Sequence, residues 1–308
     1  MHPLAVATLL TVLIAPTPSR APAPDAFLGR WDLTVQTPQG DRPSWLEIRR
    51  SGREALVGQF VGPVGSARPV AKFELGGDSI RFAIPPQWEQ ENGDIAFVAR
   101  LQGEQLAGTV TLGDGKRMTW TGKRAPTLRR EKPPAWGAPI RLFNGADLRG
   151  WRAMGENQWR AVKGVLTSPK SGSNLVTERT FTDFKLHIEF RYPKGSNSGV
   201  YLRGRYEVQI EDSMHVEPAN DLLGAIYGFL PPTELAARDP GQWQTFDITL
   251  VGRTVTVVAN GRTVICEREI PGITGGALDS DEGAPGPLYL QGDHGPIEYR
   301  NIVLTPAR

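Results

Sequence analysis

Cysteine is almost missing from this chain: Cys266 is the single one in 308 residues, so no internal disulfide can form and stability must come from packed cores. Cys266 lies in the apolar run Thr263–Cys266 and reads as a buried, inert thiol. An excess of either charge sign is also lacking. Thirty-five Lys and Arg face 33 Asp and Glu, which leaves no basic footprint and excludes nucleic acid as an expected partner. Long apolar runs are absent too. Leu4–Ala15, the longest, is too short to span a bilayer. Helical periodicity is scarce, and a single turn near Thr233–Ala237, after Pro231 and Pro232, is the one helix expected.

What remains is glycine, proline and short alternating segments, with 35 Gly and 26 Pro spread along the chain. That composition suits many short strands joined by tight turns. Residues 1–23 read as a secretion signal: an apolar core over Leu4–Ala15 precedes two small-x-small patterns, Ser19-Arg20-Ala21 and Ala21-Pro22-Ala23. A secreted or periplasmic protein with no stable membrane span after signal removal is expected, with a retained N-terminal anchor as the rival.

Residues 27–124 carry eight strand candidates, beginning near Trp31, Trp45, Leu56, Val70, Ile80, Ile95, Leu106 and Met118. Turn sequences such as Gly76-Gly-Asp78 and Gly113-Asp-Gly115 separate them, which predicts a smaller antiparallel β-barrel or sandwich. The opening Gly29-Arg30-Trp31 resembles the start of lipocalin-type barrels. Trp31, Trp45, Trp88 and Trp120 are expected in its core, with a cavity lining as the alternative. Residues 125–139 form a Pro-rich, semi-rigid linker with solvated charges. Residues 140–308 are again β-rich, and Asn260-Gly261 between apolar runs signals a type I′ hairpin. The chain is therefore expected to be all-β, with a two-sheet sandwich at its C-terminal end.

The run Asn197–Asp212 alternates apolar residues with polar ones suited to chemistry: Arg203, Glu207, Gln209, Glu211 and Asp212. Strand geometry sends Val208 and Ile210 into a core while Glu207, Gln209 and Glu211 line the opposite face. A three-residue loop, Gly204-Arg205-Tyr206, would pair Arg203 with Glu207 and Tyr201 with Gln209. It keeps both apolar sets on one face and is the expected register. Such a face suits a hydroxyl-rich ligand, although solvated sheet faces are common. A second polar cluster, Leu290–Ile302, holds His294 between Gly292 and Gly295, where backbone can approach a ligand closely. His294 is a candidate base or metal ligand. His215 is a further candidate, His187 reads as structural or solvent-facing, and His2 belongs to the signal segment.

Taken together, these clusters resemble the 3-keto-disaccharide hydrolase domain family, which has the concanavalin A-like jelly-roll fold. The resemblance runs through Leu142–Trp151, Trp159, Val165-Leu166, Asp183–Phe190, Asn197–Arg203, Tyr206–Ile210 with Asp212, Gly224–Tyr227, Trp243, Asn260-Gly261 and Leu290–Ile302. It implies chemistry on sugars oxidised at C3, where a ketone acidifies the C2 hydrogen and permits β-elimination of the C1 substituent. Water added to the enone would complete a net hydrolysis; ordinary hydrolysis by a carboxylate pair is the rival. For that chemistry His294 is assigned as base or metal ligand, and Glu207 and Asp212 as acid, base or metal ligands. Arg203, Gln209, Tyr201, Asn197 and Gln291 would bind a carbohydrate substrate. No cofactor is identified from sequence, but a divalent metal on Glu207, Asp212 and His294 is chemically reasonable. A non-catalytic carbohydrate-binding module and a packing-only scaffold are the competing classes.

Overall fold

Short strands punctuated by Gly fold here as antiparallel sheets, because Gly takes the left-handed turns between strands, as at Gly52, Gly77 and Gly103. The computed structural model describes residues 24–89, 92–213 and 216–308. The expected signal segment, His2 and His215 lie outside the described residues. No helix among the described residues is long and apolar enough to cross a membrane.

Nine strands build the first sheet. They are β1 (Gly29–Thr37), β2 (Gly40–Ser51), β3 (Ala55–Val61), β4 (Arg68–Val70), β5 (Glu74–Gly76), β6 (Ser79–Ile84), β7 (Ile95–Gln102), β8 (Gln105–Thr111) and β9 (Arg117–Arg124). Their order is β4-β3-β2-β1-β9-β8-β7-β6-β5, an up-and-down meander in which β1 pairs with β9 and the two ends of the sheet are β4 and β5. Strand β5 was not expected, since its three exposed residues offer no apolar period. Side chains fill the barrel: Phe82 stacks on Phe97 at 4.6 Å, and Trp31 and Trp120 are buried beside them.

The remaining chain supplies β10 (Ile140–Arg141), β11 (Trp151–Ala153), β12 (Arg160–Val162), β13 (Val165–Ser168), β14 (Leu175–Phe181), β15 (Phe184–Arg191) and β16 (Asn197–Leu202). It continues with β17 (Tyr206–Glu211), β18 (Gln244–Val251), β19 (Thr254–Ala259), β20 (Arg262–Glu269), β21 (Gly286–Leu290) and β22 (Ile297–Pro306). One sheet runs β12-β13-β22-β15-β18-β19-β20 with β10 on β22; the other runs β11-β14-β21-β16-β17. Between them lies one apolar core that includes Phe190, Val200, Val208, Phe246 and Leu290. Asn260 and Gly261 both take positive φ, 50° and 81°, as a type I′ turn demands.

Several expectations are corrected. The segment Thr233–Ala237 forms no helix; it runs along the edge of β20, where Thr233 donates its backbone N–H to the Val264 carbonyl at 2.8 Å. Cys266 is exposed, not buried. Irregular pairing of β19 with β20 points both Val264 and Ile265 inward and turns Cys266 to the outer face. Nor is the linker a free spacer. Arg130 donates to Asp183 at 2.7 Å, and Trp136 bridges to Ala307.

The hairpin register also differs. Leu202 pairs with Tyr206 and Tyr201 with Glu207, so the loop is Arg203-Gly204-Arg205. Arg203 and Gly204 turn the chain with positive φ, 53° and 66°, which lets Tyr206 enter the core instead of the loop. The slip is two residues, an even number, so Tyr201, Glu207 and Gln209 within the ladder keep their expected face, whereas Arg203 passes into the loop.

Barrel and sandwich share packing. Trp45 points out of the barrel, lies edge-on to Phe229 at 5.4 Å, and is buried in the sandwich core together with Val61. The segment between β3 and β4 docks on sandwich loops, with Gly276 donating to the Pro63 carbonyl at 2.9 Å.

Candidate functional site

The alternation of β16 and β17 sends Tyr201, Glu207 and Gln209 away from the core, and β21 adds Tyr289 on the same face. These four, with Asn197, Gln291, Asp293 and His294, line a cavity of about 260 Å³. Tyr227, Gly275 and Gly276 of the sandwich loops close one side; Val64, Gly65 and Trp88 of the barrel close another.

Glu207 is 3% exposed, and burial pushes its carboxyl up to about 8. Among the described residues no cationic side chain lies within hydrogen-bond reach of it; the group that bonds it is the Tyr201 phenol. The Tyr201 hydroxyl lies 2.8 Å from Glu207 Oε2 and 2.9 Å from the Gly275 carbonyl oxygen. A hydroxyl has one proton to give. A neutral Glu207 can donate from Oε2 to Tyr201 while Tyr201 donates to Gly275. Burial outweighs the Tyr201 hydrogen bond, which works to lower the carboxyl, and the two oxygens leave room for a proton between them. Tyr201 and Tyr289 stack at 4.3 Å, and burial raises both phenols well above their ordinary range.

His294 is half exposed, its Nδ1 2.6 Å from Asp293 Oδ1. That bond, more than anything else, raises the imidazole above its usual value. Burial works to raise Asp293, but hydrogen bonds from His294 and from Asn174 Nδ2 (3.1 Å) outweigh it and hold the carboxyl low. Asn174 also accepts the Gly292 backbone N–H at 2.7 Å, so one side chain sets both the loop and the carboxylate that orients the histidine. The cavity therefore holds a neutral carboxyl and an oriented imidazole with opposite environments, which is how acid and base roles are separated at one pH.

Gln209 donates to the Asp221 carbonyl at 3.1 Å, yet its Oε1 and that of Gln291 have no hydrogen-bond partner among the described residues. Both are acceptors at the cavity that sugar hydroxyls could satisfy. Asn197 donates to Glu211, whose carboxyl burial raises.

Two sequence candidates lie elsewhere. Arg203 is 2% exposed and donates to the Tyr206 hydroxyl at 2.9 Å and the Gly252 carbonyl at 3.1 Å. Its left-handed backbone carries the guanidinium to the core side, where Tyr206 also meets Glu282 at 2.8 Å. Asp212 accepts the Gly195 backbone N–H at 2.9 Å, ties the loop before β16, and does not line the cavity. Among the described residues no group of three or more His, Cys, Asp or Glu is arranged to hold a metal ion, so Glu207, Asp212 and His294 are not gathered as a ligand set. His187 is bonded to Asp247 at 2.7 Å, away from this cavity.

Sequence reasoning missed Tyr289, Asp293 and Tyr227. Tyr289 stands two residues before Gln291 on one strand face, so alternation carried the signal. Asp293 adjoins His294 and could have been read as its partner. Nothing in the sequence links Trp88 to this site.

Residues 138–305 match the model of the 3-keto-alpha-glucoside-1,2-lyase-like domain, and the barrel lies outside that span. A 3-keto-disaccharide hydrolase from Bacteroides thetaiotaomicron is 26% identical over 151 residues, which cover 45% of this chain and 49% of that protein. The chain thus spans about half the length of that curated relative. Among solved structures, a candidate glycosyl hydrolase from Parabacteroides distasonis is 28% identical, with 57% of this chain and 92% of that one covered and a TM-score of 0.45. A second from the same organism is 24% identical, covering 55% and 98%, also with a TM-score of 0.45.

Proposed function

The chain belongs to the 3-keto-alpha-glucoside-1,2-lyase-like domain family, and from that premise we propose that it cleaves the glycosidic bond of 3-keto-glycosides, 3-keto-disaccharides among them. One observation carries the reading: a carboxyl kept neutral by burial faces the same cavity as an imidazole oriented by Asp293. His294 removes the proton on C2, made acidic by the neighbouring ketone. The electron pair forms the C1–C2 double bond as the C1–O bond breaks, and Glu207 gives its proton to the departing oxygen. The products are an enone and a free alcohol. Addition of water at C1 of the enone regenerates a 3-keto sugar and makes the net reaction a hydrolysis. Gln209, Gln291 and Asn197 hold the sugar hydroxyls. A binding module without catalysis has no need of a protonated carboxyl beside an oriented histidine.

Purified protein incubated with a 3-keto-disaccharide, with and without chelator, should release both halves, and His294→Ala should slow release by about 10²-fold or more. Substrate deuterated at C2 should react several-fold slower. A normal rate with the deuterated sugar would replace elimination by direct displacement, and full activity of His294→Ala would remove its role. Export to the periplasm or medium belongs to the same proposal and rests on the apolar stretch Leu4–Ala15. The mass of the N-terminal peptide from exported protein tests it.

A further inference from the structure

Large apolar side chains rarely stand in water without a reason. Among the described residues Trp88 is 63% exposed and Val64 53% exposed, and both belong to the barrel and line the same cavity as Glu207. Trp88 is not loose. Its indole lies against Gly65, where a side chain would come within 2.5 Å of Trp88 Cδ1, and the positive φ of Gly65 (83°) suits glycine alone. Glu89 Oε2 accepts the backbone N–H groups of Gln87 (2.8 Å) and Trp88 (3.1 Å), and the same carboxylate forms a two-pronged pair with the buried Arg68 at 3.1 Å. The Gln87 side chain clasps Ser66 from both of its amide atoms. One side of the indole is thus fixed on the barrel, and the other is free.

Size gives this surface a purpose. A cavity of about 260 Å³ falls below the roughly 300–1,000 Å³ of pockets that enclose drug-sized ligands. It has room for one sugar ring among Glu207, Gln209 and Gln291, so the second ring of a disaccharide must lie at the mouth. Pyranose rings carry C–H groups on their faces and hydroxyls around their edges. Indole faces attract the former, while the cavity floor supplies acceptors for the latter.

We propose that the barrel supplies a leaving-group subsite, in which Trp88 stacks on the second ring of a disaccharide whose reacting ring occupies the cavity. This rests on the reading of the cavity as a 3-keto-glycoside site, and it makes the chain selective for substrates with a ring as leaving group. The matched family span begins only after the barrel, so the specificity belongs to the two-part architecture.

The test compares a 3-keto-disaccharide with the methyl 3-keto-glycoside of the same reacting sugar. In Trp88→Ala the ratio of kcat/KM values, disaccharide over methyl glycoside, should fall about tenfold, mostly through KM; Trp88→Phe should restore most of it. An unchanged ratio, or equal losses on both substrates, would overturn the subsite. If the wild-type protein cleaves neither substrate, the reading of the cavity fails. The subsite is then judged by calorimetric titration with the unoxidised disaccharide and methyl glycoside. Tighter binding of the disaccharide that Trp88→Ala abolishes upholds it, and equal binding of the two sugars overturns it.

Discussion

The Glu207 carboxyl occupies the space that a side chain on Gly199 would fill. A Cβ built there would lie 2.1 Å from Glu207 Oε1 and 2.9 Å from its Cδ. Gly199 sits on β16 opposite Gln209, and its missing side chain lets the glutamate fold back over the strand under the Tyr201 hydroxyl.

Gly199→Ala therefore should strike activity harder than stability. Overpacking of this kind costs roughly 1–3 kcal/mol, but an acid moved by about 1 Å can lose about 10²-fold in rate. Expected is a fall in kcat/KM of that order with a folded circular dichroism spectrum. A variant as active as wild type would show that Glu207 needs no such placement.

The pH profile should be narrow. His294 must be neutral to accept a proton, and its pKa is raised above the ordinary 6.5 by Asp293. Glu207 must be protonated to donate one, and it loses its proton near 8. A bell-shaped kcat/KM profile follows, with the alkaline limb assigned to Glu207. Asp293→Asn should move the acid limb to lower pH and lower the maximum. An acid limb that stays in place would assign it to another group.

How much of this was legible? Strand parity was, because a period of 2 survives any even slip; Glu207 and Gln209 were therefore put on the right face from a wrong register. Arg203 failed because a loop residue at φ 53° leaves the alternation altogether. Asp212 failed at a strand end, where a carboxylate can serve a backbone N–H as readily as a ligand. The family resemblance implied a sugar site but carried no word of Trp88, whose position depends on how barrel and sandwich dock. That docking is long-range packing of Trp45, Val61 and Phe229, and no local pattern encodes it.

Stability should respond to two carboxyls that fold in their protonated forms. Burial, then the neighbouring Glu282, raises Asp32 from 3.8 to about 8, and burial raises Glu207 from 4.5 to about 8. Between those values the folded chain holds protons that the unfolded chain has released. Their contribution is complete below about pH 4 and is lost as pH rises through 8. The melting temperature should fall between pH 5 and 9. Asp32→Asn, remote from the cavity, and Glu207→Gln should each flatten that slope, gaining most at pH 9. Only Glu207→Gln should also abolish turnover, by about 10²–10⁴-fold. A steeper decline in either variant would contradict the neutral assignment.

Trp45 tests whether the barrel acts as part of the site. It is fully buried outside its own barrel, against Phe229 and against Gly272, where a side chain would come within 2.2 Å of its Nε1. Trp45→Ala should cost about 3–5 kcal/mol of stability, as large-to-small changes in a core do. Because the barrel has a separate core around Phe82 and Phe97, the loss should fall on docking, and unfolding should split into two transitions. Loosened docking carries Val64, Gly65 and Trp88 away from the cavity, so KM for a disaccharide should rise even where the sandwich remains folded. A single unfolding transition with unchanged KM would mean that the barrel wall is held by its polar contacts, Pro63 with Gly276, Thr34 with Ser280 and Lys123 with Asp281.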